Sequence, residues 1–153
     1  MPHQTIPPDI VSPLTKDQQI NELNSEVKCK IAQSKVHGVG VFALYDIKKG
    51  QRMYCAPRLV PIFYTIPYGS LSKLFPEIRE LVIDRWPSVI NGSAFPSPND
   101  DAKLLLFMNH SNEPNYDLTN DTALRDIKAG EEIFENYCTM QNATKVYKWL
   151  KCD

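Results

Sequence analysis

The sequence predicts a mainly β domain of short strands and small sheets, with a helical insert in its middle. Three features carry this expectation. From Val27 the chain alternates, with Val27, Cys29 and Ile31 apolar and Lys28 and Lys30 polar, which is the pattern of a half-buried strand. The turn sequence D-I-K-x-G occurs twice, at Asp46–Gly50 and Asp126–Gly130, each time between β-like segments. Between these ends, over Pro61 to Asp101, the texture changes, and Leu71, Leu74, Ile78, Leu81 and Val82 fall near helical spacing.

Residues Met1 to Leu14 hold four prolines and little periodicity, so they read as an extended arm, disordered or laid on the surface. The arm is placed at 1–25, with a short helix started by the capping-box spacing of Thr15 and Gln18 and carrying Ile20 and Leu23 on one stripe. The main domain is placed at 26–140. After the strand from Val27 a hairpin turn carries Ser34, His37, Gly38 and Gly40; the second strand runs from Val39 or Val41 to Tyr45, and a third lies around Met53 to Cys55. In the insert, about 60–102, Pro76 opens a helix to about Trp86, because proline suits a first turn and not a helix interior. Trp86-Pro87, Asn91-Gly92 and Phe95 to Asp100 read as loops. The tail, 141–153, reads as a short amphipathic helix over Gln141 to Lys151, with Val146, Tyr147, Trp149 and Leu150 available for burial.

At 153 residues the chain is the size of one domain. Seventeen basic and eighteen acidic side chains give a formal charge of -1, so nothing draws it electrostatically to nucleic acid or an anionic membrane. No apolar stretch approaches a membrane span, and the start, with Pro2, Pro7, Pro8 and Asp9, lacks the apolar core of a signal peptide. Cys29, Cys55, Cys138 and Cys152 are scattered without a C-x-x-C pair, which argues against a zinc ribbon or a disulfide scaffold. Reduced thiols in an intracellular setting, cytoplasmic or nuclear, are expected.

The densest chemistry lies in Phe107 to Asp117, where an apolar lead breaks into Asn109, His110, Ser111, Asn112 and Asn115 around Pro114. Such a cluster is either a surface loop or a binding turn. It stands between HGVGVFA (His37 to Ala43) upstream and RDIKAGEEIFENY (Arg125 to Tyr137) downstream. The combination resembles the SET domain, a family of protein-lysine methyltransferases that use S-adenosylmethionine, over Val27 to Tyr137. The matching motifs are Gly38/Gly40, Asn109-His110-Ser111 with Pro114-Asn115, and Gly130-Glu131-Glu132-Ile133 with Tyr137.

The resemblance implies a SET (β-clip-like) fold with a knot-like C-terminal crossing, and an enzyme that moves a methyl group to a lysine of a protein or peptide substrate, histone or other. It implies cofactor contacts at His37, Gly38, Val39, Gly40, Asn109, His110 and Tyr137. Tyr137 corresponds to the catalytic tyrosine. Tyr54, Tyr116, Phe134, Tyr147 and Trp149 are candidate walls of the substrate channel, and each could equally be core. His110 has no partner cluster for a metal, so no metal site is expected. Two departures stand out: Glu135, two before the tyrosine, occupies a place that is often aromatic, and Cys138 replaces a common glycine. The cysteine-rich zinc segment that often follows is missing, so the lysine channel is expected to be closed by the tail helix, by a partner copy in a homodimer, or not at all. A non-catalytic SET-like module binding a peptide or the cofactor is the alternative.

Overall fold

The computed structural model describes residues 12–56, 62–85, 95–96, 104–140 and 142–152. Met1–Val11 and the loop signals over 86–94 and 97–100 lie outside them. Helix α1, Lys16–Glu26, opens on the reciprocal cap: the Gln18 amide donates to Thr15 Oγ1 at 3.3 Å and the Thr15 amide to Gln18 Oε1 at 2.9 Å. Its buried stripe, Ile20 and Leu23, packs with Ile66, Leu71, Ile78 and Val82 into a first core. Helix α2, Pro76–Arg85, supplies the last two. Burying such aliphatic side chains is worth about 1.5–3 kcal/mol each, so α1 contributes directly to this core.

A second core of Val41, Ile47, Met53, Leu104, Met108 and Ile133 underlies the sheet. Strands β1 (Cys29–Gln33) and β2 (Val39–Ala43) form the predicted antiparallel hairpin, from Cys29↔Ala43 to Gln33↔Val39. Strands β3 (Phe63–Tyr64) and β4 (Phe95–Pro96) pair in the insert, and β6 (Tyr116–Asp117) pairs with β7 (Thr122–Ala123). The main sheet is completed by β8 (Glu132–Glu135), antiparallel to β2, and β5 (Asn109–His110), parallel to β8, in the order β1-β2-β8-β5. This parallel pairing carries the chain after β8 alongside the Asn109–Ser111 segment.

The two D-I-K-x-G turns lock each other. Ile47 and Ile127 exchange both backbone bonds, at 2.9 and 2.8 Å. Asp46 accepts from the Ala129 amide and Lys128 Nζ, while Asp126 accepts from the Lys49 amide and Lys48 Nζ. Gly50 and Gly130 both take φ 79°, a left-handed conformation that disfavours a side chain.

Three expectations are corrected. The strand around Met53 to Cys55 is reduced to one bridge, Arg52↔Thr122, because Tyr54 is left-handed (φ 55°) and the Asp121 carboxylate takes the Cys55 amide at 3.0 Å. The tail helix is a single turn, α3, Ala143–Val146, after which the chain bends back and buries Leu150. Finally, Cys138 and Cys152 form a disulfide, with Cα atoms 5.6 Å apart, where four reduced thiols were expected; only Cys29 and Cys55 are free. Among the described residues no helix is long and apolar enough to cross a membrane.

Candidate functional site

The apolar lead Leu104–Phe107 is a 3-10 turn; buried Leu104 and Met108 fix its end, so β5 emerges in a set direction beside β8. Asn109 then spends its amide on the glycine turn: Nδ2 lies 3.2 Å from the His37 carbonyl, 3.1 Å from the Val39 carbonyl and 2.9 Å from Glu132 Oε1. Ser34 Oγ donates to the other Glu132 oxygen at 3.0 Å. Gly40 faces this carboxylate. A Cβ there would collide with Glu132 Oε1 and sit 3.2 Å from Asn109 Nδ2, so the absence of a side chain is what lets Glu132 lie against the turn. All three motifs thus meet through one amide and one carboxylate.

The third motif closes a cavity of about 510 Å³. Its walls are Val36 and His37 on one side and the rings of His110, Tyr137, Tyr147 and Trp149 on the other. The rings touch in sequence: His110 to Tyr137 at 5.3 Å, Tyr137 to Tyr147 at 5.1 Å, Tyr147 to Trp149 at 5.8 Å, and Trp149 back to His110 at 5.9 Å. The Tyr137 amide donates to His110 Nδ1 at 3.1 Å, which leaves the ring proton on Nε2, 3.1 Å from Asn112 Oδ1. The Tyr137 hydroxyl donates to the Met108 carbonyl at 2.6 Å. Burial, then the charge of Glu135 and Tyr147, raises this phenol's pKa. It stays protonated at neutral pH and acts as a donor. The Cys138–Cys152 bond fastens the tail bearing Tyr147 and Trp149 to the residue after Tyr137.

A smaller cavity of about 190 Å³ adjoins the same segment, lined by Tyr116, Asp117, Leu118, Leu124, Glu135 and Thr139 among others. Glu135 is 4% exposed, and burial pushes its pKa up to about 7. Tyr116 donates its hydroxyl to Asp121 Oδ1 at 2.9 Å; burial and that carboxylate hold the phenol far above its ordinary value.

Of the residues marked in the sequence, His37, Asn109, His110, Tyr137, Tyr147 and Trp149 surround the larger cavity, and Gly38, Val39 and Gly40 form the turn beside it. Tyr116 lines the smaller one. Tyr54 and Phe134 line neither: Tyr54 lies under Arg52, whose guanidinium carbon is 4.9 Å from its ring centre, and Phe134 is half-buried opposite Asn109 in the sheet. The sequence reading missed Ser34, Val36 and Glu132. A signal for Glu132 existed, since a glycine in a paired strand marks a neighbour filling its space.

Comparison with known proteins bears on the family. The SET domain model matches residues 38–138, about two-thirds of the chain. Among curated proteins no match is found. Among solved structures, a candidate histone methyltransferase of Plasmodium falciparum is 21% identical, with TM-score 0.36, covering 73% of this chain and 94% of that one. A chain of the Polycomb Repressive Complex 2 of Chaetomium thermophilum is 22% identical, with TM-score 0.36, covering 80% of this chain and 17% of that one. The match over 38–138 spans the glycine turn, the Asn109–Ser111 segment and Tyr137, which here converge on one place, and the chain belongs to the SET domain family, a methyltransferase family.

Proposed function

We propose that this chain is a protein-lysine N-methyltransferase that uses S-adenosylmethionine. The observation that carries the reading is the aromatic cavity assembled from three distant motifs, with the Tyr137 hydroxyl fixed on its wall by the Met108 carbonyl. When bound, S-adenosylmethionine supplies a methyl group made electrophilic by its sulfonium charge.

The residues fit that group. At Gly40 the space a Cβ would take is filled by the Glu132 carboxylate, which Asn109 Nδ2 and Ser34 Oγ hold there and whose charge would complement an amino-acid ammonium. The rings of His110, Tyr147 and Trp149 offer flat apolar faces suited to a purine, and electron-rich faces attract a cation. Asn109 holds the turn, since its amide is engaged with the turn's own carbonyls. His110 positions Tyr137 through the amide bond to Nδ1. Tyr137 orients the incoming amine and offers its oxygen to a polarised methyl, a weak contact of about 0.5–1 kcal/mol; most of the acceleration comes from alignment, for which about 7–11 kcal/mol is available.

The acceptor is a lysine of a protein or peptide, histone or other. An intracellular setting, nuclear or cytoplasmic, fits such an acceptor, and there the Cys138–Cys152 bond would be exposed to reduction. Incubating the protein with methyl-labelled cofactor and a cell lysate, then mapping methylated lysines, tests the reading. Transfer to lysine is expected; cofactor binding with no transfer to any protein would make the chain a non-catalytic module instead.

A further inference from the structure

The smaller cavity holds a group for which the described structure supplies no partner. Glu135 is 4% exposed and lines the cavity; no described residue hydrogen-bonds to its carboxylate, whose oxygens are not fully enclosed and so reach the cavity's solvent. A carboxylate this desolvated, without a donor, either takes up a proton or favours a positive charge brought beside it. The cavity wall holds a second carboxylate, Asp117, and no Lys or Arg. Asp117 is already engaged, by Asn120 Nδ2 at 2.7 Å and the Thr119 amide at 2.9 Å, so Glu135 is the acceptor left open. Pro114, Leu118, Leu124 and the Tyr116 ring give the wall apolar faces, beside the uncharged polar Thr119, Asn136 and Thr139. An acidic end with apolar walls matches one kind of ligand, an alkyl chain ending in an ammonium.

Position links this cavity to the proposed chemistry. Glu135 and Asn136 line it, the next residue, Tyr137, lines the aromatic cavity, and the charge of Glu135 is felt at the Tyr137 phenol. We propose that Glu135 is the anionic seat of the acceptor amine, holding its ammonium and taking from it the proton it must lose before it can attack. In that step one N–H bond of the ammonium breaks and an O–H bond forms on the carboxylate; the nitrogen keeps the electron pair, and the neutral acid later returns its proton to water. The inference rests on the methyltransferase reading for its second half only. Burial aids both halves, since it makes Glu135 a stronger base than an ordinary carboxylate and makes an amine easier to deprotonate. The other titratable groups around it are Asp117 and Tyr116 on β6, Asp121 bonded to Tyr116, Tyr137, and His110 opposite it in the β5/β8 register.

The test uses the full chain with carbon-13 in its glutamate carboxyls and n-butylammonium chloride as the probe. Glu135 is expected to titrate near about 7, and butylammonium is expected to lower that midpoint, whereas uncharged n-butanol leaves it in place. Glu135→Gln should weaken butylammonium binding roughly tenfold or more, with cooperative melting retained. A Glu135 signal that ignores butylammonium, or equal binding by the Gln variant, overturns the seat. For any lysine peptide the protein methylates, kcat/KM should rise with pH through an acid limb near about 7 that the Gln variant lacks; the same limb in both overturns the proton transfer. Butylammonium that finds Glu135 in a protein transferring no methyl group leaves the seat standing and removes the transferase.

Discussion

Two cavities meet the Glu135–Thr139 segment, and their polar groups are handled in opposite ways. Around the aromatic cavity the described polar groups are already bonded to the protein. The Asn109 amide is bonded to the glycine turn, His110 Nδ1 to the Tyr137 amide, and the Tyr137 hydroxyl to the Met108 carbonyl. At the smaller cavity the Glu135 carboxylate has no hydrogen-bond partner among the described residues. The first arrangement holds shape, and the second stores affinity for a charge. A site for a large flat ligand gains from rigid walls, while a site for a small cation gains from an unsatisfied anion.

The largest effect should come from Tyr137, which lines the aromatic cavity and directly follows Glu135 and Asn136 of the smaller one. Tyr137→Phe removes a hydroxyl that acts on alignment, so methyl transfer should fall about a hundredfold while cofactor affinity changes little. Single-turnover rates and a calorimetric titration on the variant measure the two quantities separately. Wild-type turnover would remove Tyr137 from the chemistry, and lost affinity would make it part of the rigid wall alone.

Asn115 tests the wall from behind. Fully buried, it mimics a strand: Nδ2 donates to the Glu132 carbonyl at 2.8 Å and Oδ1 accepts from the Phe134 amide at 2.8 Å. Asn115→Ala leaves two backbone groups of β8 unpaired and should cost on the order of 2–4 kcal/mol in denaturant unfolding. A loss under about 1 kcal/mol would show that water replaces the side chain.

These two residues mark what was legible in the sequence and what was not. Tyr137 and the asparagine cluster could be marked because their chemistry is local to a motif. The hairpin, α1 and α2 followed from alternation, capping and proline placement, which are also local. Asn115 acting as a strand, Glu132 filling the space over Gly40 and the Cys138–Cys152 pair depend on chain crossings that spacing does not encode. Tyr54 misled because an aromatic near a motif carries no direction; its left-handed backbone turns it to Arg52. Glu135 was visible as a departure, but its lack of a partner was not.

The tail tests whether the rings of Tyr147 and Trp149 are held in place or settle there unaided. One helical turn, the buried Leu150 and the Cys138–Cys152 bond anchor this segment, and Trp149 is 62% exposed. Cys152→Ser, or the wild type in dithiothreitol, should weaken cofactor binding several-fold and raise hydrogen exchange in the tail, while Tm falls little, because most of both cores lies elsewhere. Unchanged affinity under reduction would show that ring packing alone orders this wall.

The smallest effect should come from the paired turns, and its sign separates frame from site. Amides of Ala129 and Lys49, then the side chains of Lys128 and Lys48, hold Asp46 and Asp126 below the usual carboxylate range. A depressed native pKa stabilises the fold above the unfolded value and loses that contribution as pH falls through the folded one. Glu135 has the opposite sign. With a native value near about 7, it keeps a proton that the unfolded chain has already released, so stability falls as pH rises from the ordinary carboxylate range toward neutrality. The wild type should therefore be most stable in mildly acidic solution. Melting curves from pH 3 to 8 on Asp46→Asn and Glu135→Gln, run at low and high salt, divide the two slopes. Asp46→Asn should flatten only the acid side, by a small amount that salt reduces further, since its ion pair with Lys128 is exposed. Glu135→Gln should flatten only the neutral side and melt higher than wild type at pH 8. An acid slope unaffected by Asp46→Asn would mean that the two turns are held by the Ile47–Ile127 backbone pair, with the carboxylates adding nothing.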